Sequence, residues 1–153
     1  MKQLHKKLIA LMALTVLGMG STFVFSSTRN VDVAHSGYDV VSYFTVGKAV
    51  KGSAEYSSTY KDSTYHFTSD KHQAMFLQNP VKYLPQYDGF CAYGVTLAQK
   101  IKADPTVWKI VNDKLYFNFN QKFMKDWSKD VVASIKAGNE EWELIRDVPP
   151  EEL

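Results

Sequence analysis

The chain has 153 residues, 45% of them apolar, 14% aromatic and 22% charged; that is material for one core, and it lies far from the charge-dominated composition that keeps a chain unfolded. The formal charge of +2 arises from Lys2, Lys6 and Lys7, since without these three the remaining 15 of the 18 basic residues face 16 acidic ones. A near-neutral body without a basic cluster argues against nucleic-acid binding and against electrostatic docking on an anionic membrane.

The first residues read as an export leader. Basic Met1 to Lys7 precede an apolar run from Leu8 to Val16 that continues through Leu17, Met19, Phe23 and Val24. Val24 and Ser26 suit the positions three before and one before a cut, which predicts a signal peptide over 1–26. The alternative is an uncleaved anchor, because Leu8 to Phe25 is just long enough to cross a bilayer; only then would the chain be tied to a membrane. Residues 27–36 read as a linker or first edge segment, and a domain is expected over 37–148.

Within that domain, Gly37 to Phe44 is a compact aromatic block in which Asp39 can cap a short helical turn. Ala54 to Tyr60 and Thr64 to Thr68 alternate as two strands of a hairpin around Lys61-Asp62-Ser63. Ser69 or Asp70 caps a helix that ends at Asn79-Pro80, and a second turn stops at Pro85. Gln86 to Val95 is an aromatic loop turned by Asp88-Gly89. Trp108 to Val111 and Leu115 to Phe119 form a second hairpin. From Asn120, Phe123, Trp127, Val131 and Ile135 recur every four residues and predict one helix, interrupted at Gly138-Asn139 before a last short helix with Trp142 and Ile145. No internal repeat is visible. The order of elements predicts a small α+β domain with two β-hairpins and C-terminal helices.

Two blocks, Tyr65-His66-Phe67-Thr68-Ser69 and Phe76-Leu77-Gln78-Asn79-Pro80-Val81-Lys82-Tyr83-Leu84-Pro85, resemble the YHS domain family. The similarity runs from Gly37 to Asn118 and is greatest to the exported single-domain branch. The resemblance implies a treble-clef-like YHS core, a location in a bacterial periplasm, and a binding role. The metal-finger members of the family carry cysteine pairs that this chain lacks. Where they have the cysteines at the strand-to-helix junction, this chain has Thr68 and His72, and the Gly37 to Phe44 block stands in place of the upstream pair.

The remaining donors are His66, His72 and Cys91, with His35 ahead of the domain. Imidazole and thiolate would suit copper or zinc, so His66, His72 and Cys91 form the candidate metal set, against the plainer reading of ordinary surface or hydrogen-bonded histidines. Cys91, the single cysteine, reads as a buried thiol, a ligand, or half of an intermolecular bridge. Tyr43, Tyr65, Tyr87 and Tyr93 either fill the core or wall a small-molecule pocket. Asp39, Asp88 and Asp104 have local explanations as cap, turn and pre-proline residues, and no catalytic motif is present. The expected function is therefore an exported binding module for a metal ion or small ligand. The alternatives are a structural or protein-interaction module, or a pocket or enzyme built on the tyrosines.

Overall fold

The computed structural model describes residues 32–153. The leader, its expected cut after Ser26 and the first residues of the linker lie outside the described residues. No helix among the described residues is long and apolar enough to cross a membrane.

Strand β1 (Asp32–Val33) leads into a 3-10 turn (Ala34–Gly37) and a short helix α1 (Ser42–Thr45). A hairpin of β2 (Ser53–Tyr60) and β3 (Ser63–Phe67) follows, then α2 (Asp70–Gln78) and α3 (Pro80–Tyr83). A second 3-10 turn (Gln86–Gly89) opens the next series: α4 (Ala92–Val95), a hairpin of β4 (Asp104–Val111) and β5 (Lys114–Asn118), then α5 (Gln121–Trp127) and α6 (Val131–Ile145). Strand β3 lies between β2, antiparallel to it, and β1, parallel to it; β4 and β5 form a separate antiparallel pair. The expected α+β class is what the chain adopts.

The two series repeat one plan, which the sequence does not display. In the first hairpin Ser53 pairs with Phe67 and, after a bulge, Ser57 with His66; in the second, 51 positions on, Asp104 pairs with Asn118 and, after the same bulge, Trp108 with Phe117. The parallel pairing of Val33 with Thr64 recurs as Pro85 with Leu115, and the antiparallel bridge of Tyr38 with Lys51 recurs as Phe90 with Lys102. Asp39 N donates to Val50 O, and Cys91 N donates to Ile101 O. Each series opens on three successive left-handed residues: His35, Ser36 and Gly37 (φ 48°, 54° and 75°), then Tyr87, Asp88 and Gly89 (φ 56°, 51° and 81°). Each also starts its main helix with a side-chain cap, Ser69 accepting from His72 N and Asn120 accepting from Phe123 N.

Each unit has its own core. Val40, Val41, Phe67, Phe76 and Tyr83 fill the first, and Ala92, Val95, Tyr116, Trp127 and Ile145 the second. A seam of Tyr43 with Leu115 and Phe117 joins them, and the Tyr43 hydroxyl donates to Pro105 O at 2.9 Å across it.

The C-terminal helices depart from the sequence reading. The stripe from Phe123 to Ile135 is broken by a 3-10 turn at Ser128–Asp130, where the Asp130 carboxylate accepts from Ala133 N at 3.0 Å and starts a new helix. That helix then runs unbroken through Gly138. The glycine is tolerated because a Cβ there would stand 2.7 Å from the Tyr87 hydroxyl oxygen, so close packing outweighs its poor helix propensity.

Candidate functional site

Asp39 is the polar centre of the first unit. Its fully buried carboxylate accepts from Val41 N at 2.9 Å through Oδ1; Oδ2 accepts from Thr68 N at 2.9 Å, Thr68 Oγ1 at 2.7 Å, Ser42 Oγ at 3.0 Å and His72 Nδ1 at 2.6 Å. Burial alone would raise its pKa, but the hydrogen bonds from His72, Thr68 and Val41 outweigh that effect and hold it below the ordinary value of 3.8. The far side of the His72 ring meets Thr45: Nε2 lies 3.2 Å from Oγ1.

Hydroxyl, imidazole and carboxylate thus share the connectivity of a hydrolase triad. The Thr45 hydroxyl, however, donates to Val41 O at 3.0 Å, and Thr45 closes the C-terminal turn of α1, where free carbonyls disfavour a developing negative charge. The arrangement is a clamp between α1, β3 and α2.

In the second unit Cys91 takes the place of Asp39. Its buried sulfur accepts from Gly94 N at 3.4 Å and from Phe119 N at 3.2 Å, the counterpart of the bond from Thr68 N, and the thiol donates to Asn118 Oδ1 at 3.5 Å. Burial pushes the thiol pKa up against these bonds, so Cys91 is a buried capping group. Phe123 occupies the position of His72 and packs on Tyr93.

The expected metal set does not meet. His72 is bound to Asp39 in the first clamp, Cys91 lies in the second, and His66, half-buried on β3, faces Gly37. Among the described residues no three His, Cys, Asp or Glu side chains are placed to hold one metal ion. The physical reason is the repeat: the two clamps are separate structures, each closed by its own hydrogen bonds.

The four tyrosines are distributed likewise. Tyr43 is in the seam, Tyr87 donates to Asn139 Oδ1 at 3.1 Å, and Tyr93 meets Phe123 edge to face. Tyr65, whose pKa burial raises to about 12, borders a concavity of about 410 Å³ together with Ala34, Tyr60, Leu84 and Pro85. A second concavity of about 200 Å³ is lined by Val33, Phe90, Pro105 and Phe117 among others.

His35 and Asp88 border both concavities. The His35 ring lies between Tyr65 (centroids 5.9 Å apart) and Phe117 (5.5 Å), and a Cβ on Gly89 would stand 2.5 Å from its Cε1. Burial lowers the His35 pKa from 6.5 to about 4, which keeps the ring neutral. Two buried side-chain polar atoms among the described residues lack a hydrogen-bond partner, Trp127 Nε1 and His35 Nε2; the former belongs to the second core, the latter to the divide between the two concavities. The sequence reading set His35 ahead of the domain, and only the left-handed turn and the pairing of β1 with β3 bring it inside. No family model matches the chain, and neither a curated protein nor a solved structure matches it.

Proposed function

We propose that the chain is an exported binding module of the YHS type that takes one small molecule at the His35 site. The observation that carries the proposal is the unpartnered Nε2 of a buried imidazole set between two concavities. Buried polar groups are almost always paired, and an exception asks for a missing partner. The second unit supplies the contrast: Tyr87, which occupies the place of His35, has its hydroxyl satisfied by Asn139 Oδ1 and Ile135 O. Both concavities are preformed and mix polar with apolar lining, Ser36, Asp88 and Lys102 in one and Lys61, Ser63 and Asp88 in the other, and small-ligand sites generally combine an apolar wall with polar groups that fix orientation.

A metal role for His66, His72 and Cys91 draws no support from this arrangement, and copper or zinc enters no step here. Native mass spectrometry of the secreted protein, purified without chelator or histidine tag, tests the proposal. We expect a stoichiometric organic adduct that is absent from His35→Leu; a bare wild-type chain, or an adduct retained by His35→Leu, would overturn it.

A further inference from the structure

The strap that leads into the first unit, residues 32–36, is lightly held except at one side chain. Among the described residues, β1 pairs with β3 at two positions, Asp32 with Ser63 and Val33 with Thr64, and both of its residues are exposed. Beyond it Lys51 Nζ donates to Ser36 O, and Tyr38 N donates to His35 O at 3.1 Å. His35 and Ser36 hold left-handed backbone, with φ of 48° and 54°, which residues bearing a side chain adopt at a cost. Against this stands the seating of the His35 ring between Tyr65, Phe117 and Gly89.

We infer that the strap is an acid-released latch: it is seated while the His35 ring is neutral and lets go, with both hairpins still folded, when the ring takes a second proton. The latch rests on the burial of His35 and not on any occupant of the site.

The chemistry is that of Nε2, which is buried and has no hydrogen-bond partner. A charged imidazole donates from both nitrogens. Whichever nitrogen carries the proton in the neutral ring, protonation therefore leaves an N–H at Nε2 without an acceptor, and a charge that is buried unpaired is expelled or neutralised. Burial accordingly lowers the His35 pKa. The charged and titratable groups around the ring do not meet Nε2: Asp88 and Lys102 border one concavity, and Asp88, Lys61, Asp62, Tyr60 and Tyr65 border the other. Strand β5 presents Phe117 to the ring, and Asp32 is exposed on the strap itself. Tyr65, with its pKa raised to about 12, stays neutral throughout.

Opening the strap gives the ring to water at the cost of a two-position ladder, and it relaxes two left-handed residues. Unfolding a whole unit would uncover its core as well, so the local opening comes first. The second unit has no such latch. There Tyr87 takes the place of His35 and is bonded to Asn139 Oδ1 and Ile135 O, and Pro85, the counterpart of Val33, is buried. Because His35 borders both concavities, its departure joins them and uncovers Tyr65 and Phe117. Acid thereby governs access to the space between the two units.

Amide hydrogen exchange of the ligand-free protein at pH 7.5 and pH 5, corrected for intrinsic exchange rates, tests the latch. With a pKa of 6.5 in the released strap and about 4 in the seated one, opening should become about thirtyfold more favourable between these two pH values. The bonded amides of residues 32–38 should lose about that much protection, while those of the β4–β5 ladder keep theirs. In His35→Leu and His35→Phe the protection of the strap should not change with pH. Loss of protection in strap and ladder together would mean that acid unfolds the whole domain, and would overturn the latch. So would an unchanged strap, or a change that persists in both variants. If neither variant folds, the wild-type ring decides: labelled with 15N, His35 must titrate well below 6.5, and an ordinary value would overturn the inference.

Discussion

The Asp39 clamp and the Cys91 clamp solve the same problem with different chemistry. Both tie a left-handed turn and a short helix to the start of a hairpin-following helix, and both accept the backbone N–H just after the second strand, from Thr68 in one and Phe119 in the other. The first uses a carboxylate saturated by donors and joined to His72; the second uses a thiol, a carboxamide and an aromatic ring. The fold therefore requires an acceptor at this position and does not require a charge. A buried charge raises what is lost when the clamp is broken, because its partners are stranded without solvent.

That contrast makes Asp39→Ala the most damaging change. It leaves Val41 N, Thr68 N and the His72 ring without their acceptor, and a loss of about 3–5 kcal/mol in denaturant unfolding is expected. A loss no greater than that of Cys91→Ala would erase the distinction between the clamps.

Within the first unit, His35 and Asp39 respond to acid at different pH. The folded-state pKa of His35, about 4, lies below its ordinary 6.5, so the unfolded chain binds its proton more readily. The stability from keeping this ring neutral is complete above pH 6.5 and declines as the pH falls toward 4, by up to about 3 kcal/mol. Asp39, with its pKa held below 3.8, contributes stability that is present above that value and is lost only as the pH falls below it. Thermal unfolding across pH 7 to 4 should show the first decline in the wild type and a flattened profile in His35→Leu; identical profiles would disprove it.

The smallest effect is expected in the second clamp. Cys91→Ala removes an acceptor of weak N–H···S bonds and should cost about 1–2 kcal/mol. Because burial raises the thiol pKa, Cys91 should resist thiol reagents until the protein unfolds; labelling of the native protein at the rate of a free thiol would contradict its place in the core.

The hairpins were legible because strand alternation and polar turns are local signals, and the caps at Ser69 and Asn120 were legible because a short polar side chain before an apolar series has one common use. The break at Ser128–Asp130 is not, since the four-residue spacing continues across it and the Asp130 cap on Ala133 N that starts a second helix is not marked by that spacing. The repeat is hidden in the sequence because its equivalent positions hold Asp39 and Cys91, Thr68 and Phe119, or His72 and Phe123, pairs that differ in polarity. Tyr65 and Tyr116, and Gly37 and Gly89, are among the few identities left. His72 stands out as a nitrogen donor, but its partner Asp39 lies 33 positions away. No pattern around His35 marks it as part of the domain.

Tyr43 sets the order in which the molecule can be completed. Its ring belongs to the first unit, but its hydroxyl bonds to Pro105 and its packing partners are Leu115 and Phe117. A chain made from its N-terminus has the whole first unit in hand before any of these exist. Until then the Tyr43 ring has none of its partners from the second unit.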